Sequence, residues 1–145
     1  MSATITAKLV EPCLIFGGTC EKAIEFYRKT VGAEVESLKR FKDCPEASSP
    51  EMLPPGTENK ILHASLHIGE SVVMVSDGMC DMAEGFQGIS LSLTAEDADE
   101  AQRVFAALSE GGEASMPLAK TFWSPLFGML KDRYGVSWMI TVPYK

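Results

Sequence analysis

The amino-acid sequence predicts an α+β fold built from two similar halves, each with the order β-α-β-β-β. Two segments show the helical spacing of apolar residues, and each is followed by a glycine. Each helix pattern follows one strand pattern and precedes three others. The length of 145 residues and the 46% hydrophobic content suit one domain over 1–145, with halves at 1–78 and 87–145.

The first half contains one helix pattern between strand patterns. The helix is predicted over 20–31, with Thr19 as its N-cap. A strand over 8–16 precedes it and a strand over 33–41 follows. The segment 43–59 is rich in Pro, Ser and Glu, so we expect a mobile loop that partly covers a binding site.

An antiparallel hairpin is predicted to complete the first half. Residues 60–68 alternate, with leucine and alanine on one face and His63 and His67 on the other. Gly69 joins this strand to a second strand over 71–76. Because residues of one strand alternate between faces, the two histidines should share a face about 13 Å apart, too far to bind one ion together.

The second half repeats the same order of strands and helix. A strand over 89–94 leads into a predicted capping box at Thr94–Asp97 and a helix over 97–109. Short strands are then predicted near 113–116, 126–131 and 136–142.

Composition and charge exclude several classes of partner. The net charge is −7 and the pI about 4.8, and no cluster of Lys and Arg is present, so neither nucleic acid nor an anionic membrane is an expected partner. No apolar run reaches the roughly 20 residues that span a bilayer. The N-terminal residues lack the pattern of a signal peptide, so a cytoplasmic location is expected. The four cysteines form no Cys-x-x-Cys pair and are predicted to be free thiols.

Three segments carry a resemblance to a known family. They are CEKAIEFYRKTVGAEV at 20–35, KILHASLHIGESVVMVSD at 60–77 and TFWSPLFGMLKDRYGVSW at 121–138. In this order they resemble the PhnB-like branch of the vicinal-oxygen-chelate superfamily, which includes glyoxalases, bleomycin-resistance proteins and dioxygenases.

The resemblance implies a fold and a place for a ligand. The two halves would form a cupped eight-stranded mixed sheet with the helices outside, and a small ligand would lie in the cup. Many members of the superfamily are homodimers, and many hold a divalent metal in the cup. The branch often carries a methyltransferase label, but this sequence has no glycine-rich strand-turn-helix for a methyl-donor cofactor, so we expect no cofactor.

The residues at the positions of the superfamily's metal ligands predict that no metal binds there. Divalent metals need carboxylate, imidazole or amide donors, whereas apolar side chains offer none and serine hydroxyls bind weakly. Aligned by turns and helix starts, the four positions are Pro12, Val73, Ser90 and Met139.

The aromatic residues near the C-terminus are the best indication of a binding site. Small-molecule sites are mostly apolar and aromatic, with a few polar groups that orient the ligand. We therefore expect an apolar or aromatic small molecule as the partner. The candidate binding residues are His63, His67, Ser90, Ser92, Phe122, Trp123, Phe127 and Trp138.

Three functions remain open on the sequence alone. The first is a small-molecule-binding protein without the usual metal. The second is a metal-dependent lyase, isomerase or dioxygenase with the unusual ligands Glu11, His63 and His67. The third is a dimeric interaction module without a small ligand. Because one fold hosts many activities, the resemblance does not choose among them.

Overall fold

The computed structural model of the protein describes residues 10–43, 58–78 and 86–144. The elements of these residues follow the predicted order β-α-β-β-β twice, which confirms the α+β fold class. The predicted loop lies almost entirely in 44–57, outside the described residues. The elements are β1 (Cys13–Ile15), α1 (Cys20–Thr30), β2 (Glu34–Arg40), β3 (Ile61–Ile68), β4 (Ser71–Ser76), β5 (Leu91–Thr94), α2 (Ala98–Ser109), β6 (Glu113–Ala119), β7 (Leu126–Lys131) and β8 (Ser137–Val142).

The eight strands hydrogen-bond in two mixed sheets of four. The first sheet has the order β1-β4-β3-β2 and the second β5-β8-β7-β6. In each sheet one pair is parallel, β1 with β4 and β5 with β8, and the other pairs are antiparallel.

Contacts divide the chain into two compact units. The first unit consists of Met1–Glu21 and Ala33–Met82, and the second of Lys22–Gly32 and Ala83–Lys145. Most of α1 therefore belongs with the second sheet, although α1 precedes the first hairpin in sequence. The sequence halves 1–78 and 87–145 stay a prediction.

The first sheet has one buried face. Leu14, Ala64, Leu66, Val73 and Val75 on this face are each at most 7% exposed. Burying such side chains contributes about 1.5–3 kcal/mol each for the larger ones, so this face forms part of the hydrophobic core of the unit.

The predicted hairpin is confirmed. Strands β3 and β4 pair antiparallel, with Ser65 opposite Met74 and His67 opposite Val72. His63 contacts Met74, so both histidines lie on the face opposite the buried one.

The first turn of α1 is held by a distant carboxylate rather than by its predicted cap. Asp77, just after β4, accepts hydrogen bonds from Gly18 N at 2.7 Å and Cys20 N at 2.9 Å through one oxygen. The hydroxyl of Thr19 instead donates to Phe16 O at 3.4 Å. Thr19 directly precedes α1, as predicted for the N-cap, but the amide of Cys20 is held by the charged oxygen of Asp77, a stronger acceptor than a hydroxyl.

The N-cap of α2 lies three residues after Thr94, the first residue of the predicted capping box, and the helix begins one residue later than predicted. Asp97 is the N-cap, and its side chain accepts from Glu100 N at 2.8 Å. The helix packs on β7 and β8 and buries Ala101, Val104 and Leu108. In the part of the chain that the structure describes, no helix has the length and apolarity needed to cross a membrane.

Candidate functional site

The first sheet has an open face opposite its buried one. Paired residues of neighbouring strands lie on the same face, and Met74 pairs with both Cys13 of β1 and Ser65 of β3. His63 and His67 share this face by the alternation along β3. We call these five residues the first open face; each is at least partly exposed.

The two histidines of the first open face have separate partners. His63 Nε2 lies 3.1 Å from Met74 Sδ. His67 Nε2 lies 3.0 Å from Glu36 Oε2 in an exposed pair. Exposed pairs of this kind contribute little to stability because water screens the charges.

The alternative metal ligands are not brought together. Within residues 10–43, 58–78 and 86–144, no three His, Cys, Asp or Glu side chains are grouped closely enough to hold an ion. Glu11, His63 and His67 therefore do not form a metal site among themselves.

The register places sulfur-containing residues directly after two of the positions considered for a metal, Pro12 and Val73. Val73 is 7% exposed and lies on the buried face, so Met74 is the residue of β4 that faces outward. Its partner across the parallel pair is Cys13, rather than the preceding Pro12. A shift of one residue in a strand exchanges the faces, so the outward-facing residues next to Pro12 and Val73 are Cys13 and Met74.

Of the four cysteines, Cys13 and Cys20 are described, and both are free thiols. Cys13 is exposed, and partial burial raises the pKa of its thiol. Cys20 is fully buried; burial, and then the negative charge of Asp77, raise the pKa of its thiol far above its usual value. Cys20 is therefore a packed, inert thiol, whereas Cys13 is accessible.

The second sheet also has an open face, and this one is largely apolar. Across strands β7 and β8, Met129 pairs with Met139 and Phe127 with Thr141. Strand β5 adds Ser92, opposite Met139. We call these five residues the second open face. Thioether and aromatic side chains with a few hydroxyls have the composition of a small-molecule site.

An aromatic cluster extends the second open face. The Trp123 ring lies 5.3 Å from the Phe127 ring and 4.8 Å from the Phe122 ring, both edge to face. Phe127 is 7% exposed, but Trp123 is 50% and Phe122 92% exposed. Large aromatic side chains left this exposed are uncommon on a protein surface and indicate a contact site.

A short, anchored turn holds this cluster in place. Ser124 is fully buried, and its hydroxyl lies 2.6 Å from Val142 O and accepts from Thr141 Oγ1 at 3.2 Å. Thr121 closes the turn, because its amide donates to Ser124 O at 2.9 Å. Sequence reasoning missed Ser124, since nothing distinguishes it from other serines in the sequence.

Trp138 lies on the opposite side of the second sheet from Phe127. It pairs with Leu130 and Leu91, is 2% exposed, and does not belong to the second open face. We expected Trp138 and Phe127 to line one surface, and the register shows that they do not. Phe127 pairs with Thr141, which is an odd number of residues along β8 from Trp138 and therefore points to the opposite face.

The indole of Trp138 belongs to a buried hydrogen-bond network around Asp132. One carboxylate oxygen of Asp132 accepts from Tyr27 Oη at 2.6 Å and from Trp138 Nε1 at 2.9 Å. The other accepts from the amides of Tyr134 at 2.8 Å and Val136 at 3.1 Å. Burial, and then the neighbouring Asp132 carboxylate, raise the pKa of the Tyr27 hydroxyl. The network fastens α1 to the turn between β7 and β8.

Repeated βαβββ units whose four-stranded sheets each keep one open face define a protein of the vicinal-oxygen-chelate class. The model of the family described as 3-demethylubiquinone-9 3-methyltransferase matches residues 8–141. The chain belongs to this family, the PhnB-like branch of the class.

Individual relatives agree with this assignment. Protein YjdN of Escherichia coli is 35% identical over 138 residues, which cover 92% of this chain and 94% of YjdN. The crystal structure of protein PA1353 from Pseudomonas aeruginosa matches with 38% identity and a TM-score of 0.83, covering 96% of this chain and all of that one.

Two further structures support the fold. A putative 3-demethylubiquinone-9 3-methyltransferase, PhnB protein, from Bacillus cereus matches at 31% identity and a TM-score of 0.76, covering 92% of this chain and 98% of that one. The fosfomycin resistance protein FosX of Listeria monocytogenes matches at 11% identity and a TM-score of 0.62, covering 97% and 96%. At that identity the likeness concerns the fold alone.

Proposed function

We propose that this protein binds a small apolar or aromatic molecule on the second open face and the aromatic cluster beside it. The observation that carries the proposal is the half-exposed Trp123 ring packed edge to face on Phe127, next to two methionines of the sheet. Covering this surface removes apolar area from water, which contributes about 25 cal/mol per Å².

The polar groups of the same face would orient the ligand. Ser92 and Thr141 carry hydroxyls beside Met139. The Ser92 hydroxyl can donate and accept, and the Thr141 hydroxyl, which donates to Ser124, can still accept a hydrogen bond. Of the residues predicted from the sequence, Ser92, Phe122, Trp123 and Phe127 enter this proposal. His63, His67 and Ser90 stay predictions as ligand contacts. Trp138 would support the site from behind, through the sheet.

A substitution on the second open face tests the proposal. Nile red, a neutral apolar dye, should bind saturably and change the fluorescence of Trp123. The Met139→Gln variant should bind the dye at least about tenfold more weakly, because desolvating an amide costs about 1–3 kcal/mol and about 1.4 kcal/mol corresponds to tenfold. Fluorescence titration at constant protein concentration measures the affinity.

Two matched variants make the titration decisive. Ala106→Gln places the same amide on the exposed side of α2 and should leave dye binding unchanged. Trp123→Phe keeps an aromatic ring but removes the reporter, so the dye should still bind while the tryptophan signal, now from Trp138 alone, stays constant. Equal dye affinity in Met139→Gln and the unchanged protein would refute binding on the second open face.

We also propose that the protein is a homodimer. Support comes from its open sheet edges: β2 and β6 each end a sheet, and unpaired edge strands tend to be covered by another chain. Analytical ultracentrifugation at micromolar concentration should give a mass about twice 15.7 kDa. A monomer alone under these conditions contradicts the proposal. The expected cytoplasmic location stays a prediction.

A further inference from the structure

Three strands of the first sheet bring three different metal-binding side chains to one face. Cys13 of β1 pairs with Met74 of β4, and both lie on the first open face with His63 of β3. The His63 ring nitrogen Nε2 is already 3.1 Å from Met74 Sδ. A thiol, a thioether and an imidazole therefore stand side by side on neighbouring strands.

These distances suit a shared ion. Bonds of about 2.0 Å to an imidazole nitrogen and about 2.3 Å to sulfur, about 120° apart around a three-coordinate ion, place the nitrogen and sulfur roughly 3.7 Å apart. The observed 3.1 Å needs only a small side-chain rotation to reach this separation. Cys13 and Met74 are direct partners in the parallel pair. Because neighbouring strands lie about 4.8 Å apart, an ion bound by one of these sulfur atoms is within reach of the other.

The chemistry of the three donors selects one kind of metal. Hard divalent ions such as Mg²⁺ and Mn²⁺ require oxygen ligands, which this trio lacks. Thiolate and imidazole ligands suit both Zn²⁺ and Cu(I), and the soft thioether of Met74 favours Cu(I). Cu(I) is stable with three ligands of this type and does not need a fourth from elsewhere in the chain. The thiol of Cys13 would lose its proton when the ion binds.

We propose that Cys13, His63 and Met74 form a binding site for a single Cu(I) ion. The site is open to solvent, because Cys13 is exposed and the other two side chains are partly exposed. The net charge of −7 favours the approach of a cation. All three ligands belong to the first unit and none is a residue of the second open face, so the proposal does not rest on the small-molecule proposal.

Competition for Cu(I) under anaerobic, reducing conditions tests the site. The protein should carry Cys44→Ser and Cys80→Ser, so that the two cysteines outside the described residues do not contribute. Titrated against the Cu(I) chelator bicinchoninate, this protein should remove one equivalent of Cu(I). Cys13→Ser should abolish binding, and Met74→Leu and His63→Gln should each weaken it at least about tenfold.

Control variants distinguish binding by all three side chains from binding by the thiol of Cys13 alone. His67→Gln, which changes the other histidine of the face, should leave Cu(I) affinity unchanged. An excess of Mn²⁺ should not displace Cu(I). The proposal fails if no Cu(I) is taken from the chelator, if more than one equivalent is, or if Met74→Leu and His63→Gln both bind as tightly as the parent. Met74→Leu conserves side-chain volume and is expected to fold normally.

Discussion

The Asp132→Asn variant is expected to lose about 3 kcal/mol of unfolding free energy, a large effect for one atom exchanged. Asp132 is 3% exposed and accepts four hydrogen bonds, two on each carboxylate oxygen. An asparagine offers one acceptor oxygen and replaces the other with an NH₂ group, which can only donate. One pair of donors would therefore face another donor.

Neither orientation of the amide avoids this conflict. If the NH₂ group faces α1, it meets the indole N–H of Trp138, which is a donor only and is 2% exposed. If the amide flips, the NH₂ group meets the backbone amides of Tyr134 and Val136. The hydroxyl of Tyr27 can rotate and accept, but the indole and the amides cannot. Leaving a buried donor unpaired costs about 1–3 kcal/mol, and the loss of a charged acceptor adds to this.

Urea unfolding measured by circular dichroism tests the prediction. Tyr27→Phe removes one donor while Asp132 keeps three, so it should cost about 1 kcal/mol. Asp99→Asn makes the same chemical change on the exposed first turn of α2 and should cost much less than Asp132→Asn. An Asp132→Asn variant as stable as Asp99→Asn would show that the network does not hold α1 on the second sheet.

Local sequence patterns were sufficient to predict the elements. Strict alternation on both sides of Gly69 predicted the hairpin, and the strand over 71–76 agrees with β4 at both ends. The second helix was predicted over 97–109 and observed as Ala98–Ser109. Where periodicity is long and uninterrupted, the burial of one face decides the structure, and that information is local.

The candidate site was harder to predict because it depends on register between distant strands. Phe127 and Trp138 were expected to line one surface, yet they lie on opposite faces of the second sheet. Gly128 interrupts the alternation of β7, and no local pattern fixes the pairing of β7 with β8. The neighbouring positions of Cys13 and Met74 depend in the same way on a parallel pairing between segments about 60 residues apart.

Buried acceptors of hydrogen bonds are also invisible in the sequence. Asp77 and Asp132 follow strands β4 and β7 and read as ordinary turn residues. Each is in fact buried and accepts from backbone amides of distant or neighbouring segments. Their roles arise only when the chain is folded, since the donors belong to other elements.

The Asp77→Asn variant is expected to destabilise the first unit by about 3 kcal/mol. One oxygen of Asp77 accepts from Gly18 N and Cys20 N at the start of α1, and the other accepts from Ile61 N at 2.9 Å. Ile61 is fully buried, so an asparagine would leave its amide facing a donor, or else leave the helix start without its acceptor. The variant also removes a negative charge at a helix N-terminus, where the helix dipole favours one.

The thiol of Cys20 reports directly on this change. Cys20 is fully buried, and its own backbone amide donates to Asp77. In a background with Cys13→Ser, Cys44→Ser and Cys80→Ser, Cys20 is the one remaining cysteine, and it should react very slowly with a thiol reagent in the folded protein. Asp77→Asn should accelerate labelling by about a hundredfold, as expected if opening becomes easier by about 3 kcal/mol and labelling follows the open population.

A matched variant distinguishes loss of the helix anchor from a general loss of charge. Asp43→Asn makes the same exchange on an exposed carboxylate of the same unit, which, among the described residues, accepts from Arg40 N at 3.0 Å. Since the asparagine oxygen can still accept this bond, labelling of Cys20 and the unfolding midpoint should change little. If Asp77→Asn labels at the rate of Asp43→Asn, the buried carboxylate does not anchor the helix. If it labels faster while far-UV circular dichroism stays native, Asp77 holds the start of α1 against local opening.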